Sequence, residues 1–223
     1  MGCGALRILI TSDFHGRRGV ASKVAEKAAK EGVDAIAIAG DITNFGTPSD
    51  AEWVLEPIGK LGLLAVFVPG NCDPPTLALR EEISGVLCIH GRSVDIEGYV
   101  FVGCGGGGIS PFNTPFELTE DEFEKVLWSA VSDKASVDVL LTHSPPQGAE
   151  VDTTASGLSI GSASIRRFIE EFRPRVAGCG HVHEARGISK IGETLIVNPG
   201  PAFLGFCAIA EVDEKASVKL VPI

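Results

Sequence analysis

Residues 5–41, ALRILITSDFHGRRGVASKVAEKAAKEGVDAIAIAGD, contain the pattern that decides the fold. The segment begins with a short apolar run rich in β-branched residues, Ala5–Thr11, and closes on a second apolar run, Val33–Ala39. Each run predicts a buried strand. Between them, residues 20–31 carry apolar side chains at helical spacing and lysines and glutamates on the opposite face. A strand, a helix and a strand in this order predict a parallel sheet with helices packed on it.

The same criteria extend the alternation to the end of the chain. They predict a helix over 49–59, a strand over 63–68 and a short helix opened by Pro74 and Pro75. A hairpin of 92–96 with 99–103 follows, and then a helix from about Thr119, where Glu122 completes a capping box. The last predicted elements are a strand over 137–142, a helix over 162–172, a strand over 175–179 and short strands from Gly187 onward. No linker or repeat interrupts this order, so we expect one domain spanning residues 1–223.

Length, composition and charge restrict the class of protein. A chain of 223 residues with 44% hydrophobic content is long enough to bury a full core. The net charge is −10, and acidic and basic residues are interspersed without a basic block. Stable nucleic-acid binding is therefore not expected. Any attraction for an anionic substrate must come from bound cations, because the overall field of the protein repels anions.

Cysteine spacing and hydropathy point to a reduced compartment. The six cysteines lack Cys-x-x-Cys spacing, and most lie in apolar runs, where a free thiol behaves as a small hydrophobe; they are Cys3, Cys72, Cys88, Cys104, Cys179 and Cys207. The longest apolar run, Leu61–Pro69, is too short to span a bilayer, and no signal peptide is recognised. Met1-Gly2-Cys3 has the start of an acylation signal, but Leu6 stands where Ser or Thr is required. We expect a cytoplasmic protein without a membrane partner.

Five short polar motifs each follow a predicted strand. They are Asp13-Phe14-His15, Gly40-Asp41, Gly70-Asn71-Cys72-Asp73, Thr142-His143 and Gly180-His181-Val182-His183. Because ligand sites in such sheets lie at the carboxyl ends of the strands, we expect these motifs to meet at one edge. Seven ligand-type side chains gathered there predict a metal site, and their number indicates two metals. Of the five histidines, only His90 lies outside the motifs, and we assign it no role.

Each motif is ambiguous when taken alone. Extended backbone would point Asp13 and His15 to the same side, where they can share a cation, but a solvated loop is the ordinary alternative. Gly40 allows a sharp turn before Asp41, whose two oxygens can bridge two metals; the alternative role is a helix or turn cap. Asn71 offers a hard carbonyl ligand or a simple turn residue. The joint occurrence of all five motifs favours the metal site.

In this order the five motifs resemble the calcineurin-like metallophosphoesterase superfamily, and the resemblance covers nearly the whole chain. Three further features are similar to the small, single-domain Icc-related phosphoesterases: Thr142-His143-Ser144-Pro145-Pro146, the glycine-rich stretch before Pro111, and Asn198-Pro199-Gly200. The resemblance implies an α/β (α+β) fold, a four-layer α-β-β-α sandwich of two mixed sheets flanked by helices.

The resemblance also implies ligands for two divalent metal ions. The first would bind Asp13, His15, Asp41 and His183. The second would bind Asn71, His143 and His181 and share Asp41 as a bridge. Mixed nitrogen and oxygen ligation suits manganese, iron or zinc better than calcium. Manganese is the expected metal, with iron, zinc and nickel as alternatives. A hydroxide bound by both metals would be the nucleophile that attacks phosphorus.

One position departs from the family pattern. Cys72 stands where most members of the superfamily have a histidine that steadies the transition state and protonates the leaving group. A neutral thiol can donate a proton, although less well than an imidazolium, and a mere space-filling role has equal weight. Cys72 completes a predicted catalytic set with Asp41, Asn71 and His143. Asp73 is predicted to orient its own loop or a ligand imidazole from behind the metals.

The resemblance implies a metal-dependent phosphohydrolase that cleaves small phosphomonoesters or phosphodiesters, with a nucleotide among the candidate substrates. Loops 105–117 and 147–161, rich in Gly, Ser and Pro, are expected to rim the pocket. Arg17 and Arg18 either contact substrate phosphate or form a solvated helix entry. Two alternatives stay open: a non-catalytic scaffold or binding protein, and a nuclease. The oligomeric state is also open.

Overall fold

The computed structural model describes residues 4–131 and 136–223. Cys3 and the acylation-like start therefore lie outside the described residues. The helices are α1 (Arg18–Glu31), α2 (Pro48–Gly59), α3 (Glu120–Ala130) and α4 (Ala163–Phe172), with short 3₁₀ helices at Pro75–Leu79, Glu150–Asp152 and Ala202–Leu204. The strands are β1 (Leu6–Thr11), β2 (Ala35–Ala39), β3 (Leu64–Val68), β4 (Glu82–Ile83), β5 (Val86–Cys88), β6 (Ser93–Ile96), β7 (Tyr99–Cys104), β8 (Gly107–Gly108), β9 (Glu117–Leu118), β10 (Val139–Thr142), β11 (Val176–Gly178), β12 (Gly187–Ile191), β13 (Thr194–Asn198), β14 (Phe206–Val212) and β15 (Ala216–Pro222).

Two mixed sheets form the centre of the molecule. The seven-stranded sheet has the order β15-β14-β1-β2-β3-β5-β4, and the six-stranded sheet has the order β12-β13-β11-β10-β7-β6. In the first, β1, β2, β3 and β5 run parallel; in the second, β13, β11, β10 and β7 do. The outer strands β14, β15, β4, β12 and β6 pair antiparallel.

Alternating side chains of the central strands separate four layers. In β1, Leu9 belongs to a buried cluster with residues of α1 and α2, whereas Ile8 and Ile10 face the second sheet. In β10, Leu141 joins the cluster between the sheets, and Leu140 packs with residues of α3 and α4. Successive strand residues point to opposite faces, so each central strand feeds two cores. The predicted four-layer α-β-β-α sandwich is confirmed.

Most predicted elements are present, with shifts at their ends. The capping box of α3 is confirmed: Thr119 Oγ1 accepts from the Glu122 amide at 3.3 Å, and Glu122 accepts from the Thr119 amide at 2.8 Å. Helix α1 begins before Val20 because the Arg18 guanidinium is anchored on α2, where it contacts Glu56 and the Trp53 carbonyl. Strands β4 and β5 are too short to leave a periodic pattern, and the predicted loop 105–117 contains the two-residue strands β8 and β9.

Two simpler expectations can be compared with the described residues. Five described cysteines, Cys72, Cys88, Cys104, Cys179 and Cys207, are free and buried. Among the residues that the structure describes, none of the helices has the length and apolar character needed to cross a bilayer.

Candidate metal centre

The five polar motifs meet at one edge of the sandwich, because each follows a parallel strand at its carboxyl end. Strands β1, β2 and β3 deliver three motifs from the first sheet, and β10 and β11 deliver two from the second. Backbone hydrogen bonds join neighbouring motifs: the Asp13 amide donates to the Gly40 carbonyl at 2.9 Å, and the Gly180 amide donates to the His143 carbonyl at 3.0 Å. The loops therefore hold each other in place before any ligand binds.

The backbone at Asp13 and His15 is left-handed, so the predicted extended backbone at this pair is wrong. Extended backbone would have pointed the two side chains the same way, but their φ angles are 58° and 46°. Asp41 and His181 also have positive φ, at 51° and 69°. Such conformations are costly for residues other than glycine and cluster at functional sites. Tight left-handed turns, not strand alternation, therefore direct the side chains of Asp13 and His15.

Gly40 and Gly70 allow the β2 and β3 loops to approach each other closely. A Cβ at Gly70 would lie 2.2 Å from the Asp41 amide nitrogen, and a Cβ at Gly40, where φ is 89°, would lie 2.6 Å from His143 Nδ1. Both distances are far below van der Waals contact, so any larger residue must displace a predicted ligand. The two glycines are part of the site.

Asp13, His15, Asp41 and His183 form the first group of predicted ligands. One ligand atom from each lies within 4.8 Å of the others. His183 Nε2 is 3.2 Å from Asp13 Oδ1 and 3.2 Å from His15 Nε2, and His15 Nε2 is 3.6 Å from Asp41 Oδ2. Two carboxylates and two imidazoles that face one point are a donor set suited to a divalent transition metal.

The carboxylates and imidazoles of the first group shift each other's pKa values. Burial alone would raise the pKa of Asp13, but the hydrogen bond from His183 and the charges of His143 and His183 outweigh it, so the pKa falls below its usual value. The same hydrogen bond raises the pKa of His183, and burial lowers that of His15. Asp13 is thus held as a carboxylate, the form that binds a cation.

One buried oxygen of this group has no hydrogen-bond partner. Asp13 Oδ2 is shielded from solvent, and none of the described residues donates a hydrogen bond to it. An unsatisfied buried polar atom of this kind costs about 1–3 kcal/mol, and a cation next to Asp13 would offset that cost. The residues present therefore fit a bound metal.

Asn71, His143 and His181 form a second group beside the first. Asn71 Oδ1 lies 2.8 Å from His143 Nε2 and 2.9 Å from His181 Nδ1. The other ring nitrogen of His143, Nδ1, lies 2.7 Å from the Ala39 carbonyl, which can only accept, so Nδ1 carries a proton and Nε2 is the nitrogen that can bind a metal. An amide oxygen and two imidazoles that converge in this way are a donor set suited to a divalent transition metal.

Asp41 stands between the two groups. Its Oδ2 faces His15 of the first group at 3.6 Å, and its Oδ1 lies 3.5 Å from His143 Nε2 of the second. Burial raises the pKa of Asp41 to about 6, and the neighbouring carboxylates Asp13 and Asp73 contribute to the rise. A carboxylate with one oxygen toward each group has the position that a bridging ligand needs.

The comparison with known families now decides the classification. The model of the calcineurin-like phosphoesterase family matches residues 6–185, a range that contains all five motifs. The chain belongs to this family. Family membership together with the cluster of carboxylates and imidazoles indicates a metal-dependent phosphoesterase.

One relative and two solved structures match over most of this chain and of their own length. An uncharacterized protein of Methanocaldococcus jannaschii is 36% identical over 203 residues, which span 88% of each chain. A crystal structure of a Thermus thermophilus protein matches with a TM-score of 0.78 and 19% identity over 98% of this chain and 99% of that one. A dimetal phosphatase from Danio rerio matches with a TM-score of 0.64 and 11% identity over 98% of this chain and 96% of that one. At these identities the two structures show the shared fold.

In this family member, Cys72 is buried beside the Asp41 carboxylate. Its amide donates to Asp41 Oδ1 at 2.8 Å, and its Sγ lies 3.7 Å from Asn71 Nδ2. Burial raises the pKa of the thiol well above its usual range, and the charge of Asp41 adds to the effect. Cys72 is therefore a neutral thiol at physiological pH, and its backbone positions Asp41.

Asp73 orients its own loop and the neighbouring one, the first of its two predicted roles. Its carboxylate accepts from the amides of Ile42 at 3.0 Å, Thr43 at 2.7 Å and Gly70 at 2.8 Å, and also from the Thr43 hydroxyl at 2.8 Å. None of these donors is an imidazole. Asp73 thus ties the loop of Asp41 to the loop of Asn71.

The remaining candidates have structural partners. His90 Nδ1 accepts from the Gly105 amide at 2.9 Å, and its ring lies against Phe116, so the absence of an assigned role agrees with its contacts. The Arg18 guanidinium forms a salt bridge with Glu56 of α2. Arg17 lies over the ring of Phe203 at 4.7 Å and does not belong to either ligand group.

Two contributors were not predicted from the sequence. Phe203 packs edge-on against His15 and His183, with ring centroids 5.4 Å apart in both pairs. The Asn198 side chain donates to the Val182 carbonyl at 2.8 Å and so holds the loop between His181 and His183. Asn198 ends β13, and Phe203 follows shortly after. The strand-end signal that located the other motifs applied to Asn198 too, but not to Phe203.

A cavity of about 820 Å³ opens beside the second ligand group. Asn71 and His181 line its inner end. Residues from both predicted rim loops, 105–117 and 147–161, line the rest. The two loops therefore adjoin the candidate metal centre as expected.

Proposed function

We propose that this family member is a phosphohydrolase that binds two divalent metal ions, manganese above iron, zinc or nickel, and cleaves a small phosphomonoester or phosphodiester. The observation that carries the proposal is the pair of ligand groups sharing Asp41. The first consists of Asp13, His15, Asp41 and His183. The second consists of Asn71, His143 and His181, with Asn71 Oδ1 in contact with both rings.

The donor atoms support two cations better than one. Each group has its own imidazole pair, and Asp41 directs a different oxygen toward each. The two groups would hold one cation each, and the pair would supply Lewis-acid chemistry to a bound phosphoester and to water. The name of the Danio rerio neighbour describes that protein as a dimetal phosphatase, which agrees with this assignment.

The chain's own residues would prepare the site for this chemistry. His143 is completely buried and fixed in one tautomer by the Ala39 carbonyl, so its free nitrogen is oriented in advance. Asp73 fixes the two loops that carry Asp41 and Asn71. Ligands held in this way lose little conformational freedom when a cation binds, and that favours tight binding.

The two rival functions have less support. A scaffold that has lost catalysis would not need a complete set of predicted ligands in convergent geometry, yet all seven lie at one edge. A nuclease needs a basic surface for the phosphate backbone, and this chain has a net charge of −10. Small phosphoesters are therefore the proposed substrates, in a cytoplasmic enzyme.

The experiment is hydrolysis of bis(p-nitrophenyl) phosphate and p-nitrophenyl phosphate with added Mn²⁺, Fe²⁺, Zn²⁺ or Ni²⁺. We expect turnover that disappears in Asp41→Asn and His143→Ala. His90→Gln is the matched control, because it changes the one histidine outside both groups and keeps an acceptor for the Gly105 amide. Absence of turnover with every metal, combined with absence of bound metal by elemental analysis, would contradict the proposal.

A further inference from the structure

The cavity beside Asn71 and His181 has an apolar wall contributed by two distant parts of the chain. Loop 105–117 supplies Ile109 and Phe112, and loop 147–161 supplies Leu158. These three side chains are 67%, 82% and 62% exposed. Large apolar side chains that converge on one cavity while open to solvent mark a binding surface.

Hydrogen bonds fix the first loop in this exposed arrangement. The Glu117 carboxylate accepts from the Ser110 hydroxyl at 2.6 Å and from the Thr114 amide and hydroxyl at 3.0 and 2.7 Å. Ile109 and Phe112 lie within or next to the segment that this carboxylate ties together. The loop is therefore a built wall, and its apolar side chains do not fold back onto the core.

The second loop is fixed in the same way. Asp152 accepts from the Ser159 hydroxyl at 2.5 Å and from the Gly148 amide at 2.7 Å, and the Thr154 amide donates to the Leu158 carbonyl at 2.9 Å. The Ala155 amide donates to Glu184 at 2.9 Å, which connects this loop to the His181 motif. Both walls are thus attached to the loops that carry the ligands.

The charge of the lining is as informative as its hydrophobicity. Glu120 and Glu184 are the charged members of the described lining, and no lysine or arginine is among them. Such a cavity disfavours a second phosphate or a carboxylate on the substrate, because the glutamates repel it and no cation compensates. Only the phosphoryl group would meet positive charge, at the metal centre.

We infer that this cavity binds the alcohol portion of the substrate, and that this portion is an uncharged apolar or aromatic group. The inference rests on the proposed phosphohydrolase function and adds the substrate class. Continuity supports it: Asn71 and His181 belong both to the second ligand group and to the lining, so a phosphoryl group at the metals places its ester substituent in the cavity. The volume of about 820 Å³ lies within the range of pockets that bind small organic ligands.

The test compares two phosphodiesters that the enzyme need not cleave. Calorimetry measures the dissociation constants of diphenyl phosphate and dimethyl phosphate with the Mn²⁺-loaded protein. We expect diphenyl phosphate to bind at least about tenfold more tightly, because each phenyl ring adds apolar area that the cavity can cover. In the double variant F112S/L158S the preference should fall to about threefold or less, since both side chains are exposed and their loss leaves the core intact.

Leu64→Ser is the matched control. Leu64 is also an exposed apolar side chain, but it begins β3 at the edge of the sheet opposite the ligands. The preference for diphenyl phosphate should survive this change. If the wild type binds both diesters equally, or if the double variant retains the full preference, the cavity does not select an apolar group and the inference is wrong.

A turnover arm separates this inference from the proposed function. The measured quantity is the ratio of kcat/KM for p-nitrophenyl phenyl phosphate to that for p-nitrophenyl methyl phosphate. This ratio should fall in F112S/L158S and not in Leu64→Ser. The intrinsic reactivity of the two esters is the same for every variant, so it cancels when the ratios are compared.

The outcomes distinguish the two proposals. A binding preference without any turnover would overturn the proposed hydrolase function and leave the cavity assignment standing. Turnover without a preference would overturn the cavity assignment alone. If neither diester binds the Mn²⁺-treated protein, both fail. A Phe112-dependent dimer in sedimentation would instead assign the wall to a second copy of the chain.

Discussion

The two ligand groups of the candidate centre differ in charge and in exposure. The first group has two carboxylates, Asp13 and Asp41, and its imidazoles His15 and His183 have side chains that are 16% and 36% exposed. The second group shares one carboxylate and relies on the neutral amide of Asn71, with His143 completely buried. Opposite charge strengthens cation binding more than a neutral dipole does, so the first group should hold its ion more tightly.

The two groups also differ in the pKa values of their histidines. His183 has a raised pKa because Asp13 accepts its hydrogen bond, so protons compete with a cation there. Burial lowers the pKa of His181 to about 3, so its ring is neutral at any physiological pH and keeps one nitrogen lone pair for a cation. We therefore expect the first group to bind its ion tightly but to lose it in acid. We expect the second group to bind its ion more weakly, with an occupancy that depends on metal concentration more than on pH.

The largest expected effect comes from the residue common to both groups. Asp41→Asn removes the shared charge while preserving shape, so both ions should be weakened and kcat/KM should fall on the order of 10³-fold. Turnover of bis(p-nitrophenyl) phosphate and elemental analysis provide the measurements. Asp95→Asn, at an exposed hairpin position, is the control. Near-normal metal content and turnover in Asp41→Asn would show that Asp41 does not bridge.

A second change should affect one group only. Asn71→Ala removes the oxygen that faces His143 and His181, and we expect bound Mn²⁺ to fall from two ions to one per chain, with turnover reduced about 10²-fold. The measurement is elemental analysis after dialysis, with Asp95→Ala on the exposed hairpin as control. Loss of both ions together would mean that the groups act as a single site.

The pH dependence of Mn²⁺ affinity should distinguish the groups. Metal binding requires neutral His183; below the raised pKa of His183 a proton competes with the ion of the first group, and affinity declines by up to about tenfold per pH unit. Above about pH 6, where Asp41 is ionised, the decline should be smaller for the second group, because His181 has a pKa of about 3 and contributes nothing to it. Calorimetric Mn²⁺ titrations of Asn71→Ala and His183→Ala between pH 6.5 and 8 isolate the two groups. Equal slopes would contradict the distinction.

The smallest expected effect concerns Cys72, the candidate proton donor next to the second group. The Cys72 thiol is a weak donor, so Cys72→His should raise turnover a few-fold on esters with poor leaving groups and leave nitrophenyl esters nearly unchanged. Initial rates on alkyl and nitrophenyl phosphates give the comparison. Unchanged or lower turnover on the alkyl esters would show that a stronger acid is not what this site lacks.

The residue pattern was sufficient for a parallel sheet with packed helices and for the location of the candidate site, whereas the four-layer sandwich came from the family resemblance. Buried parallel strands leave long apolar runs, and the polar residue that ends each run lies at the sheet edge, so Asp13, Asp41 and His143 could be placed without coordinates. Which residues share an ion came from the resemblance alone, and the positions of the side chains agree with that grouping.

Other features depend on contacts that leave no local pattern. Phe203 is one aromatic residue among several, and only the fold brings its ring against His15 and His183. The positive φ angles at Asp13 and His15 arise from loop packing, and neither position is a glycine, which would have indicated a left-handed turn in the sequence. The apolar character of the cavity likewise depends on two loops that are distant in sequence and meet only in three dimensions.

The left-handed backbone at Asp13, His15, Asp41 and His181 also bears on how this protein can evolve. Each of these residues tends to destabilise the fold by about 1–3 kcal/mol relative to a relaxed loop, so stability alone would favour glycine at all four positions. A lineage that no longer needs the metals should drift there quickly and gain thermal tolerance as its ligands disappear. The retention of four side chains in unfavourable conformations is what selection for ion binding would leave behind.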